Sequence, residues 1–208
     1  MFSFPNKLYP ITDVEISGLP HAEQVRQLIA GGARLIQLRE KHLSPREFHQ
    51  AAKAALDVAR LHGAQIIIND RVDIALALQA DGVHLGQSDL SPEAARKLLG
   101  VKAIIGFSVH NHEQARDAAS LPVDYLGIGP IFPTSTKDNP DPVIGLEGLR
   151  RTREAAGTIP VVAIGGITLN KVASVLNSGA DAVALISTLL KNPREITERT
   201  KEFIAEQR

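Results

Sequence analysis

Short apolar runs recur along the chain at Leu8–Ile11, Leu35–Leu38, Ile66–Ile68, Val83–Leu85, Ala103–Val109, Tyr125–Ile131, Val161–Ile164 and Ala182–Ile186. Amphipathic, alanine-rich stretches alternate with them: His21–Ala30, Pro45–His62, Arg71–Gln79, Pro92–Leu99, Asn111–Ala119, Leu146–Ala156, Leu169–Ser178 and Pro193–Glu206. A continuous apolar run fits a strand covered on both faces, and a 3.6-residue period fits the helix that covers it. Eight alternations in 208 residues leave about 26 residues per unit, compact but sufficient for strand, loop and helix. The pattern predicts an α/β fold, a single (β/α)8 TIM barrel over residues 1–208, with its active site at the C-terminal ends of the strands. An open doubly wound sheet is the competing architecture, but it has no reason to stop at eight similar units.

The expected helix ends support the count. Ser44-Pro45-Arg46-Glu47 sets a cap, a first-turn proline and a capping-box glutamate in order, and Asn192-Pro193-Arg194-Glu195 repeats the scheme. Gly31, Gly63, Gly100, Gly157 and Gly179 each follow a helical stretch, where a left-handed cap favours glycine. No linker or low-complexity segment divides the chain.

Composition narrows the class. Lys+Arg and Asp+Glu both number 23, so no net field invites nucleic acid or an anionic membrane. The absence of cysteine excludes disulfides, thiolate catalysis and Cys-bound zinc, and suits a cytoplasmic protein. MFSFPNKLYP lacks the basic flank and long apolar core of a secretory signal, and no apolar run approaches a membrane span. The barrel helices, Pro45–His62 among them, would either pack a second copy or only cover the barrel, so a homo-oligomer is left open.

In a parallel barrel the strand ends converge on one rim, so the residues just past each run are the candidates for chemistry. Asp70 and Asp89 follow the third and fourth runs and meet there, a pairing suited to a hard divalent cation. Asp70 alone would also serve as the N-cap of the next helix. Strand alternation in Gln37-Leu38-Arg39-Glu40-Lys41 puts Gln37, Arg39 and Lys41 on one side, able to hold a dense anion, and Leu38 and Glu40 on the other. Ser108 ends the fifth run, where its hydroxyl would bond a phosphate oxygen or nearby backbone. His84 and His110, beside apolar residues, are expected to be structural. The longest loop, 132–145, carries Thr134, Ser135, Thr136 and Lys137 in succession, three hydroxyls and a cation suited to phosphate. Gly165-Gly166 and Ile186-Ser187 end runs seven and eight, where barrels often bind phosphate on exposed backbone.

Taken in order, QLREK, INDR, GVHLGQSD, GxGPxFPTxTK and IGGI followed by Ser187 resemble thiamine-phosphate synthase from about Leu8 to Leu190. The resemblance implies a barrel enzyme that joins a hydroxymethylpyrimidine diphosphate to a thiazole phosphate and releases pyrophosphate. It implies pyrimidine-diphosphate contacts from the 37–41 run, Leu38 and Glu40 counted with Gln37, Arg39 and Lys41, and from Asn69, Ser108 and Lys137. It implies Mg²⁺ on Asp70 and Asp89. Thiazole-phosphate contacts fall on Thr134, Thr136, Gly166, Ile186 and Ser187, and Ser135, outside the motif itself, is counted with the substrate-binding residues of the same loop. Arg39, Lys41, Ser108 and Lys137 carry the catalytic expectation, because the family's reaction expels diphosphate to leave a pyrimidine-methylene cation. A thiazole nitrogen captures that cation without needing a base. Two alternatives stand beside this reading. One is the related thiazole tautomerase, whose characteristic histidine would fall at Pro130 and which lacks the full FPTxTK loop. The other is a non-catalytic phosphate-ligand regulator, which predicts decay of acids and lysines that are all present.

Overall fold

The computed structural model describes residues 2–134 and 141–206. Eight parallel strands alternate with helices: β1 (Leu8–Thr12), β2 (Leu35–Leu38), β3 (Gln65–Asn69), β4 (Gly82–Leu85), β5 (Ile104–Val109), β6 (Tyr125–Ile128), β7 (Val161–Ile164) and β8 (Ala182–Leu185). The helices are α1 (Val14–Ser17), α2 (His21–Ala30), α3 (Pro45–Leu61), α4 (Val72–Leu78), α5 (Pro92–Leu99), α6 (His112–Ala118), α7 (Gly145–Ala155), α8 (Val172–Leu176), α9 (Ser187–Leu190) and α10 (Ile196–Glu206). A 3₁₀ turn, Leu169–Lys171, leads into α8. Each strand pairs with its neighbours in sequence, and β1 also pairs with β8, Leu8 against Val183, so the barrel closes as the sequence period predicts.

Alternation along each strand sorts the core into two layers. Leu8, Ile36, Ile66, Ile68, Val83, Ile105, Leu126 and Val183 pack outward against the helices. Tyr9, Ile11, Leu35, Ile67, Ile104, Tyr125, Val162 and Ala184 fill the barrel interior. The α3 helix shows how the outer layer is bound. Ser44 and Glu47 form the expected capping box, and Phe48, Ala52, Ala55, Leu56 and Ala59 make one buried face. Full burial of Phe48 and Leu56 stabilises by roughly 1.5–3 kcal/mol each.

The floor of the barrel has its own fastening. Asp81, Asp124 and Asp181 each precede a strand, and each accepts a backbone N–H from the first two residues of the previous strand: Ile66, Ile105 and Val161, all at 2.8 Å. Arg96 also binds Asp124, at 2.7 Å, and Arg153 binds Asp181, at 3.0 Å. Beneath the interior layer, Phe2 and Phe4 pack on Tyr125 with ring centroids 5.5 and 5.3 Å away, and Phe4 also meets Tyr9.

Three local expectations are corrected. Asn192-Pro193-Arg194-Glu195 forms a turn, with Asn192 Oδ1 accepting from the Arg194 N–H, and the last helix begins only at Ile196. Gly31 is right-handed at φ −77°; its lack of a side chain instead admits Thr200 of α10, which a methyl at Gly31 would overlap. Two four-residue helices, α1 and α9, were not expected, because four residues are too few to display a helical period.

Candidate active site

A cavity of about 640 Å³ opens at the C-terminal ends of the strands. On the β2 side, alternation turns Gln37, Arg39 and Lys41 into it. Arg39 Nη1 donates to Asp13 Oδ2 at 2.5 Å, and the other Asp13 oxygen accepts the Ile16 N–H to cap α1. That double tether fixes where the guanidinium points. Lys41 Nζ donates to Asp70 Oδ2 at 2.5 Å.

Leu38 and Glu40 do not line this cavity. The same alternation sends Leu38, fully buried, into the layer under the helices. Glu40 accepts the His42 and Leu43 N–H groups and faces His21 Nε2 at 3.3 Å. Burial opposes its charge, but those partners outweigh burial and hold the carboxyl below its usual range. His21 also meets Thr12 Oγ1 at 2.7 Å, and burial pushes its imidazole below the ordinary value against the pull of Glu40.

Asp70 and Asp89 come together on the rim as expected. Asp70 is held in the left-handed region at φ 61° by its N–H bond to the His84 carbonyl, a conformation that costs on the order of 1 kcal/mol outside glycine. It does not cap α4, whose N-cap position is Arg71. Asp89 Oδ2 accepts the Gly86 N–H at 2.7 Å. Burial pushes the Asp89 carboxyl up, and the adjacent Asp70 carboxylate pushes it further. Two acidic groups so close favour a shared cation. Among the described residues, no cluster of three or more His, Cys, Asp or Glu could hold a metal, and the acidic groups brought together here are the two carboxylates.

Across the cavity lie Thr134, Gly166, Ile186 and Ser187, with Ser187 starting α9. Gly166, at φ 62°, sits against the backbone of Phe132 and Pro133 at the root of the long loop, where any side chain would collide. Ser135, Thr136 and Lys137 lie outside the described residues. Asn69 and Ser108 line the cavity between the two sides. Pro130 lines it as well, so the position where the tautomerase would carry histidine presents no imidazole.

The cavity floor joins Gln37, His84 and Ser108 to two residues that pattern alone did not single out, Tyr9 and Tyr125. Gln37 Nε2 donates to Tyr9 Oη at 3.1 Å, and Tyr9 Oη lies 2.7 Å from Tyr125 Oη. Tyr125 Oη lies 3.0 Å from His84 Nδ1, and His84 Nε2 lies 2.9 Å from Ser108 Oγ. Burial raises both phenols above their usual value and lowers His84 to about 4, with Asp89 opposing the latter, so the whole run is neutral at physiological pH. The signal was available, because strand alternation puts Tyr9, His84 and Tyr125 on the interior face. Sitting in apolar runs, they looked like packing.

A closed parallel barrel with its cations, paired acids and glycine-rich backbone all gathered on one rim is a (β/α)8-barrel enzyme. The model of the family described as thiamine monophosphate synthase matches residues 8–189. A thiamine-phosphate synthase of Clostridium novyi is 48% identical over 187 residues, spanning 89% of this chain and 91% of that protein. One from Chloroflexus aurantiacus is 45% identical over 185 residues, spanning 88% and 85%. The solved thiamine phosphate pyrophosphorylase of Pyrococcus furiosus superposes with a TM-score of 0.84 at 42% identity, covering 96% of each chain. The chain belongs to the thiamine monophosphate synthase family, transferases of thiamine biosynthesis.

Proposed function

We propose that the protein joins 4-amino-2-methyl-5-(diphosphooxymethyl)pyrimidine to 4-methyl-5-(2-phosphoethyl)thiazole, or to its carboxylated form with loss of CO₂ as well, giving thiamine phosphate and pyrophosphate. The observation that carries this reading is one cavity with two opposed sides, one of cations and paired acids and one of exposed backbone and a hydroxyl, each suited to an anion. Arg39, Lys41, Asp70 and Asp89 form one, and Gly166, Ile186 and Ser187 form the other. The first suits a diphosphate with its counter-ion, the second a phosphate monoester on exposed backbone.

The diphosphate leaves with the electrons of its C–O bond, and the thiazole nitrogen lone pair forms the new C–N bond to the methylene carbon. No proton need be removed for that bond to form, which agrees with the neutral, buried His84. Arg39, tethered by Asp13, and Lys41 bind the departing diphosphate, with Lys137 joining them and Ser108 contacting the pyrimidine diphosphate. Gln37 and Asn69 complete the pyrimidine side. Thr134, Ser135 and Thr136 extend the thiazole-phosphate side. Asp70 and Asp89 would hold Mg²⁺, an ion that commonly takes one or two carboxylates, waters and substrate phosphate. When bound, it supplies charge neutralisation of the diphosphate. Among the described residues, no helix is long and apolar enough to cross a membrane. The cytoplasm is the proposed compartment, with no nucleic acid or membrane as partner.

The test incubates purified protein with both substrates and Mg²⁺ or EDTA, following thiamine phosphate after oxidation to its fluorescent product. Metal-dependent product, lost in Asp89→Ala, is the expected outcome. A folded protein that makes none overturns the reading.

A further inference from the structure

The five-membered run from Gln37 to Ser108 has a property that its single contacts do not. Each buried phenol has one proton and needs an acceptor, and a neutral imidazole has one N–H and one bare nitrogen. Tyr9 and Tyr125 cannot both donate to each other. If Tyr9 donates to Tyr125, then Tyr125 donates to His84 Nδ1 and His84 Nε2–H donates to Ser108 Oγ. The cavity then meets the Gln37 carbonyl oxygen and a free Ser108 O–H. Reversing any link reverses all of them: Ser108 donates inward, His84 carries its proton on Nδ1, and Tyr9 needs the Gln37 oxygen, leaving the Gln37 NH₂ toward the cavity. The run has two concerted senses, and the structure holds Gln37 in the first, with Nε2 on Tyr9 Oη.

The barrel wall is cut away to fit this run. A methyl on Gly106 would overlap the Tyr125 phenol and come within 2.5 Å of His84 Nδ1. One on Gly127 would come within 3.0 Å of His84 Cε1. The two rings stack, with centroids 5.5 Å apart and planes 26° from parallel.

We infer that Tyr9, Tyr125 and His84 are positioning residues that fix Gln37 as an acceptor and Ser108 as a donor, so that the cavity floor selects an aminopyrimidine over the corresponding pyrimidinone. This rests on the synthase reading. An aminopyrimidine edge offers an exocyclic N–H donor beside a ring-nitrogen acceptor, which the first sense complements. A pyrimidinone edge offers a carbonyl beside a ring N–H and requires the second. A mismatched ring either leaves buried polar groups unpaired or reverses the whole run, and discrimination by buried hydrogen-bonding groups is strong for that reason.

Two measurements test this. With histidine-¹⁵N-labelled wild-type protein, Mg²⁺ and the aminopyrimidine diphosphate alone, ¹⁵N NMR is expected to find His84 as the Nε2–H tautomer; the Nδ1–H tautomer overturns the inference. In steady-state assays, the ratio of kcat/KM for the aminopyrimidine diphosphate to that for its 4-oxo analogue is expected to fall at least tenfold in Tyr125→Phe, and to fall in Tyr9→Phe. KM for thiazole phosphate should stay at the wild-type value. An unchanged ratio in folded variants, whatever the loss of rate, makes the tyrosines packing residues and overturns the inference while the synthase reading stands. Wild-type protein that forms no product with either pyrimidine overturns both. Should the variants fail to fold, the tautomer of the wild-type protein decides.

Discussion

His21 is a polar ring inside a buried layer, and its position has a signature in pH. Burial lowers its native pKa below the unfolded value of 6.5, so below that pH the unfolded chain binds a proton that the native chain resists. The stability attached to His21 is therefore complete above about pH 6.5 and is lost as pH falls from there toward the lowered native pKa. Glu40, held below its usual range, loses its own contribution only further into acid. Urea unfolding at pH 7.5 and 5.5 should show a loss of stability for the wild type and a smaller loss for His21→Gln. Equal losses would remove His21 from the acid response. The same residues show where the sequence was readable. The charged rim at Arg39, Lys41, Asp70 and Asp89 stood out because cations and acids past strand ends have little packing role. Tyr9 and Tyr125 did not, because an aromatic body in an apolar run reads as core until its hydroxyl is seen to have a partner.

Among the elements, strands were legible from burial on both faces, and β2 and β7 occupy the residues their apolar runs define. Helix ends were legible where a side chain makes the cap, as Ser44 does for α3. They were misread where proline and asparagine make a turn instead, as at Asn192. The aspartates just before β4, β6 and β8 hold neighbouring strands in register, and nothing in hydrophobic periodicity announces them. Asp124 joins the Ile105 N–H to Arg96, so Asp124→Ala orphans a strand N–H and leaves Arg96 without its carboxylate. It should cost about 2–3 kcal/mol in chemical denaturation. Its place at the N-terminal end of the barrel puts stability at stake rather than chemistry. The kcat/KM of the folded variant is accordingly expected to match the wild type, and a fall of tenfold would show that the barrel floor reaches the rim.

For the whole molecule, Phe2 and Phe4 join the start of the chain to the interior layer by packing on Tyr9 and Tyr125. Phe4 is only half-buried, so Phe4→Ala should destabilise by about 2 kcal/mol, below the range for a fully buried phenylalanine. A thermal melt indistinguishable from wild type would make the aromatic floor a passive cover. The β1–β8 pairing has a different consequence, one concerning synthesis. Leu8 finds Val183 only after nearly the whole chain has been made. Until then a growing sheet can add strands from β1 toward β7 but keeps two unpaired edges, each a template for another nascent chain. Closure is thus the longest-range and slowest contact to form, and the interval before β8 leaves the ribosome is when this barrel is most exposed to misassembly.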